Sequence, residues 1–246
     1  MVIACDGREY WRKDIFPQYK ANRKKARDES TIDWNMIFDF LHELREDIDR
    51  VFPYKVVKVH KAEADDIIGV LTKYTQDNEQ VRDGIMMESQ PVIVISEDLD
   101  FVQLYKYDNF KLYLPRKKKL YPKPSQKELR EFIIEHIVKA GDDGIPNILS
   151  PDDIFVQEPK GRQTTVSAKR LTEFKEIGRD ACRNDIERRG WDRNSRLIEF
   201  EHIPEDIVSA IVDTYKTAEG VLDRNLIFNY LVKNRCRQLL NSIEEF

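Results

Sequence analysis

Hydrophobic positions along this chain fall in two rhythms. Short apolar runs at 2–5, 92–95 and 110–114, and the alternating stretch 54–59, have the length and β-branched content of strands. Between them apolar residues recur every three or four positions. Ile37, Phe38, Leu41, Leu44 and Ile48 predict a helix over 33–50, capped by Ser30-Thr31 or Asp33. A second helix opens in Glu63-Ala64-Asp65-Asp66 and runs to about Tyr74, a polar loop follows, and a helix or turn covers 101–105. Strands alternating with helices predict a mostly parallel α/β sheet. From about 126 onward the pattern is helical: 126–139, a Gly/Pro turn at 141–151, a charged irregular stretch over 157–195, then helices near 204–217 and 224–242. The one strand-like run in that half is 197–200. The chain thus divides into an α/β core, 1–125, and a helical region, 126–246. A domain that opens in a core strand also predicts a flanking element, upstream or on another chain.

Composition narrows the class. The 246 residues, 41% apolar and 35% charged, suit a soluble globular protein of one large domain or two small ones. A formal charge of −4 argues against a histone-like binder. Cys5, Cys182 and Cys236 lie far apart, which argues against a disulfide framework or zinc ribbon and fits a reducing cytoplasm. No apolar run is long enough to span a membrane, and no signal segment opens the chain.

The charges are strongly segregated. Residues 8–27 carry eight cations against Glu9 and Asp14, with Tyr10, Trp11, Phe16 and Tyr19 interleaved. Cations for phosphates and rings for stacking suit single-stranded nucleic acid. On a helix Lys20 and Arg27 share a face two turns apart, with Arg23 and Lys24 between them. A second basic patch, Arg116-Lys117-Lys118-Lys119, falls on a hairpin or loop.

The acids sit at strand ends, where parallel α/β sheets collect their functional groups. Asp6 ends one strand, Asp98 and Asp100 another, and Glu63 and Asp65 begin the helix after a third; Asp142 and Asp143 come from the later turn. Asp66 reads as an ordinary first-turn acid favoured by the helix dipole. So many carboxylates in one cleft repel unless cations intervene. For a cluster read as carboxylates, without His or Cys ligands among them, two Mg²⁺ ions, or Mn²⁺ in their place, are the natural counter-charge. Such a pair, roughly 4 Å apart, activates water and steadies the leaving oxygen of a phosphodiester.

Several runs together carry a family resemblance: Asp6 with Tyr10-Trp11-Arg12-Lys13-Asp14, Tyr19-Lys20 through Arg27, Glu63-Ala64-Asp65-Asp66, Ser96 through Leu104, Gly141-Asp142-Asp143-Gly144-Ile145-Pro146-Asn147, and the tail 241–246. Across essentially its whole length the chain resembles the 5′ nuclease, or flap endonuclease, family in its T-even bacteriophage ribonuclease H form. The resemblance implies a PIN-like core, a helical arch at about 11–30, and a C-terminal helix–three-turn–helix region that grips duplex DNA. It implies Asp6, Glu63, Asp65 and Asp98 around a first metal, and Asp100, Asp142 and Asp143 around a second. Lys20 and Arg27 become the catalytic cations at the scissile phosphate, with Asp6 and Asp98 as catalytic carboxylates. Arg12, Lys13, Tyr19, Arg23, Lys24, Gly144, Ile145, Asn147, Lys169 and Arg170 become nucleic-acid contacts. The family also begins with a further strand and helix bearing another metal-binding Asp, which the resemblance places upstream or on a separate polypeptide. Its late acids are spaced D-x-x-D, whereas here they are adjacent, so that one is expected to ligate and the other to point away.

The expected activity is metal-dependent 5′→3′ exonuclease and flap cleavage with ribonuclease H action, removing RNA primers and 5′ flaps during DNA replication. The substrates are flapped or nicked duplex DNA and RNA–DNA hybrid. A sliding clamp and a single-strand-binding protein are the implied partners, and a monomer in the cytoplasm, that of the host for a phage protein, is expected. The alternative is a catalytically weak flap-binding replication protein.

Overall fold

The computed structural model describes residues 1–77, 81–82, 85–86, 90–157 and 161–246, with backbone alone at 24–26, 77, 81–82 and 85–86. Strand β1 (Val2–Cys5) is followed by α1 (Arg12–Ile15), α2 (Ala21–Asp28) and α3 (Trp34–Val51). Asp33 caps α3 as expected, its carboxylate accepting the Met36 N–H at 3.1 Å. Strand β2 (Lys55–Lys58) runs parallel to β1, with Val2 opposite Lys55. Helix α4 (Ala64–Asp77) comes next. A small ribbon of β3 (Val81–Arg82) and β4 (Ile85–Met86) occupies part of the expected polar loop.

Strand β5 (Val92–Ile95) pairs in parallel with β6 (Phe110–Leu114), and β6 turns back into antiparallel β7 (Lys119–Leu120). The link from β5 to β6 is a 3-10 helix, Leu99–Lys106, and it buries Phe101, Val102 and Leu104 under the sheet. Among the described residues β1–β2 and β5–β6–β7 are separate sheets. Helix α4 packs against β1, β2 and β5 and joins the two. The parallel α/β class holds, in two pieces. Strand β1 is less covered than its composition suggests, since Val2 is 38% exposed.

In the second half, α5 (Gln126–Lys139) starts in a capping box between Ser125 and Glu128. Two helices, α6 (Ala168–Ile177) and α7 (Asp185–Ile198), fill the stretch that reads as irregular. Their interior is partly ionic: Arg170 and Glu187 meet at 2.7 Å with little exposure. Apolar periodicity cannot register a helix whose buried positions carry charge. The strand-like run 197–200 is the end of α7 and the start of a 3-10 turn, Phe200–His202. Helix α8 (Glu205–Thr217) packs on α4 and β2, so Ile203, Ile207 and Ile211 share a core with Val57, Val59 and Ile67. The expected helix 224–242 is broken into α9 (Arg224–Lys233) and α10 (Arg237–Leu240) where Arg235 takes a left-handed φ of 56°. The tail folds back, Phe246 lying against Phe52 and Tyr54.

Candidate functional site

The acids converge where β1, β5 and the start of α4 meet the α5–α6 connection. Gly7 is essential to the first of these. Its N–H reaches Ala62 O at 2.7 Å, and a Cβ there would lie 2.8 Å from that oxygen. The close approach pins Asp6 beside the α4 N-terminus, where its carboxylate accepts the Ala64 N–H at 2.8 Å. Glu63, one residue earlier, is 2% exposed. Asp65 stands half-buried on the first turn. From β5, Asp98 accepts the Asp100 N–H at 2.9 Å and so starts the 3-10 helix.

A ring of donors surrounds Glu63. Arg12 Nη1 donates to Glu63 Oε2 at 2.8 Å, and the Tyr19 hydroxyl approaches the same oxygen at 2.9 Å. Lys20 Nζ pairs with Oε1. The Tyr19 hydroxyl also lies 3.2 Å from Asp143 Oδ2, and Lys20 Nζ lies 3.4 Å from it. A phenol has a single hydrogen, so it serves one of these carboxylates at a time. Lys20 supplies the positive charge that lets both stand there. Burial, then Glu63, push the Tyr19 hydroxyl's pKa far up, so it remains a donor. Burial works against the charge on Lys20, but Glu63 and Asp143 outweigh it and raise its pKa.

Two acids are left with excess negative charge around them. Partial burial, then Asp98 and Glu63, push Asp65 up to about 7, against the opposing pull of Lys20. Partial burial and Asp98 likewise push Asp100 up to about 6, with His136 opposing. The His136 Nε2 is 3.7 Å from Asp100 Oδ1. A cavity of about 60 Å³ separates these groups, lined by Tyr19, Asp65, Asp100, His136, Asp142 and Asp143. Among the described residues no three His, Cys, Asp or Glu side chains form a ready ligand set in this arrangement. The acids are nevertheless all carboxylates, and the raised Asp65 and Asp100 mark where the site has more negative charge than its own cations offset. The residues fit a hard divalent cation.

The other expected site residues divide. Asp143, in the left-handed region at φ 53°, turns towards the arch and pairs with Arg23, while its neighbour Asp142 is exposed. Lys20 and Arg23 therefore reach the carboxylates. Arg27 does not: its guanidinium lies over the Phe38 ring of α3, 5.8 Å from the centroid. Lys13 is exposed over Tyr10, and the side chain of Lys24 lies outside the described residues. Arg12, read as a nucleic-acid contact, is 4% exposed and belongs to the interior. Its Nε donates to Leu197 O at 2.7 Å and its Nη1 to Asp66 Oδ2 at 3.0 Å.

The turn residues also face inward. Gly144, at φ 76°, abuts Gln18 O and Lys20 N, so the turn packs on the arch. Ile145 is buried with Phe16, Tyr19 and Leu197. Asn147 is buried and donates to Thr164 O at 2.7 Å. Arg170 is taken up by Glu173, Glu187 and Ala181 O. Lys169 alone of that pair is exposed.

Sequence reasoning missed Asp66 and His136. Asp66 is fully buried, accepting from Trp11 Nε1 at 3.0 Å and from the Glu63 N–H at 2.9 Å. Its position three residues after Glu63, where an acid reaches back to a helix start, was the available signal. For His136, on the cavity-facing side of α5, no local signal exists.

Comparison with known proteins gives the same reading. Residues 1–132 match the family described as "5'-3' exonuclease, N-terminal resolvase-like domain", and residues 130–246 match "T4 RNase H, C terminal". The chain is 31% identical over 251 residues to ribonuclease H of enterobacteria phage T4, spanning 100% of this chain and 79% of that protein. The T5 D15 protein co-crystallised with metal ions superposes with a TM-score of 0.62 at 17% identity, covering 89% of this chain and 85% of that one. T5 5′-exonuclease with bound zinc superposes at 0.61 and 18% identity, covering 89% and 84%. These two likenesses concern the fold. With both halves matched and the T4 protein aligned from end to end of this sequence, the chain belongs to the 5′–3′ exonuclease family, in its T4 ribonuclease H branch.

Proposed function

We propose that the chain is a divalent-metal-dependent 5′→3′ exonuclease and flap endonuclease with ribonuclease H activity. It removes RNA primers and 5′ flaps during DNA replication, acting on flapped or nicked duplex and on RNA–DNA hybrid in the cytoplasm of a phage-infected host. The observation that carries this is the gathering of Asp65, Asp100, Asp142 and Asp143 around one cavity beside Lys20 of the arch, with Asp65 raised by burial and then by Asp98, Glu63 and Asp6. Asp6, Glu63, Asp65 and Asp98, and Asp100, Asp142 and Asp143, would hold two Mg²⁺ ions, or Mn²⁺, which would supply an activated water and charge stabilisation at the leaving oxygen.

The remaining work falls to the chain's own groups. Lys20, whose charge Glu63 and Asp143 maintain, is placed to exchange these partners for the phosphate oxygens that gain charge during cleavage. Tyr19 keeps its proton and orients Glu63 and Asp143. Arg12 acts from beneath, fixing Glu63 rather than touching substrate. A sliding clamp and a single-strand-binding protein are the partners this role requires.

A labelled 5′-flap duplex with Mg²⁺, and EDTA as control, tests the reading. Metal-dependent product is expected; a shifted but uncut substrate would instead mean a binding protein. Asp98→Asn is expected to lower turnover by about 10³-fold with flap affinity within a few-fold of the unaltered chain, and full turnover in that variant refutes the assignment. Lys20→Ala is expected to lower kcat by roughly 10²-fold, and to change the dissociation constant for duplex far less.

A further inference from the structure

The structure assigns a second nucleic-acid contact, to the double-stranded part of the substrate, at the β6–β7 hairpin tip. This rests on the nuclease reading and adds to it a surface that the arch does not provide. The tip is the turn 115–118, closed by the Lys118 N–H to Pro115 O at 3.2 Å, with Lys118 at a left-handed φ of 49°. Arg116, Lys117, Lys118 and Lys119 are all exposed. None of the four pairs with an acid among the described residues, whereas Lys20, Arg23, Lys61, Lys106 and Lys123 all do.

Four successive cations repel one another, and intramolecular partners would relieve that repulsion. Here the four side chains make no ion pair among the described residues, and their turn sits on a rigid support. The Arg116 backbone N–H is taken by Glu97, and the Ser96 N–H donates to Tyr113 O at 3.1 Å. The Tyr105 hydroxyl donates to Tyr121 O at 2.6 Å, bracing the outgoing strand. The hairpin is thereby fastened to the loop that carries Asp98, which puts the tip on the same side of the sheet as the end of β5. The tip residues 115–120 include no aromatic ring. Without a stacking platform, the tip reads phosphates and not bases. That suits the backbone of a duplex and gives no sequence preference.

A lysine-rich tip has another use, which is to keep a short edge hairpin from pairing with other chains. The two roles separate in a binding measurement. The full chain and its Arg116→Gln/Lys117→Gln/Lys118→Gln/Lys119→Gln variant are titrated in EDTA against a fluorescent 5′-flap duplex and a single-stranded oligonucleotide of the same length. Salt is varied from about 50 to 200 mM. The slope of log K against log[salt] on the duplex is expected to fall by about 2–4 in the variant, and duplex affinity at about 100 mM salt by at least tenfold. Single-strand affinity should change less than about threefold. A Lys117→Arg/Lys118→Arg/Lys119→Arg variant should retain the original slope. The assignment is overturned by an unchanged duplex slope, by an equal loss on single strands, or by a parent chain that binds no duplex. Because no cleavage is measured, failure of the nuclease reading appears separately, as an uncut flap with Mg²⁺ present.

Discussion

Arg12→Ala is expected to destabilise the fold by about 3–5 kcal/mol, because it leaves Asp66 buried without a counter-charge and Glu63 with Lys20 alone. Glu63 is 2% exposed and Asp66 is fully buried, and one guanidinium nitrogen reaches both. The Nε of Arg12 also satisfies Leu197 O at the end of α7, so the same substitution unties the second half of the chain from the first. Trp11 Nε1 still donates to Asp66, but it carries no charge. Arg12→Lys should recover only part of the loss, since a single ammonium cannot reproduce the fork that meets three acceptors in fixed directions. A urea titration checks this, with a fall in Tm of roughly 10 °C as its thermal counterpart. A loss below about 1 kcal/mol would mean that the buried network adds nothing to stability.

Asp65→Asn should have opposite effects on activity and on stability. Turnover with Mg²⁺ falls by about 10²–10³-fold, because a ligand and the charge that draws the cation are both removed. In EDTA at pH 8 the same variant should be more stable. The folded chain holds the Asp65 carboxyl up to about 7, against 3.8 for the ordinary group. A carboxyl raised on folding favours the native state while it is protonated. That contribution is lost as pH climbs from about 4 through about 7. Asparagine keeps the shape without ionising. The gain, discounted because Asp65 is only half-buried, is of order 1–2 kcal/mol, a few degrees in Tm. In the unaltered enzyme at limiting metal, cleavage should rise between about pH 6 and 7 as Asp100 and Asp65 lose their protons to solvent and become free to bind the cation. A flat profile over that interval, or a lower Tm for the variant in EDTA, contradicts this account.

Elements with a strictly local signal were the ones legible in the sequence. The run 92–95 is a strand because four β-branched residues leave it little else to be, and the Asp33 cap and apolar stripe of 34–51 fix a helix without outside help. The positions of Asp6, Glu63, Asp65 and Asp98, just after strands or at a helix start, were legible for the same reason. What the sequence hid was long-range pairing. Arg12 and Arg27 lie in one basic run and look alike. One is drawn inside by Glu63 and Asp66, more than fifty residues away, and the other settles on Phe38. Arg170 reads as a duplex contact until Glu187 reaches it from α7. The break between α9 and α10 depends on one backbone angle at Arg235, a residue with good helix propensity.

The sharing of one core by Val57, Ile67 and Ile211 has a bearing on how the protein is made. The layer over α4 and β2 stays open until α8 (Glu205–Thr217) arrives, so the first sheet sheds its water only after about 150 further residues have followed β2 from the ribosome. A chain that stops short of α8 leaves that apolar layer facing water, and with it the helix that carries Asp65.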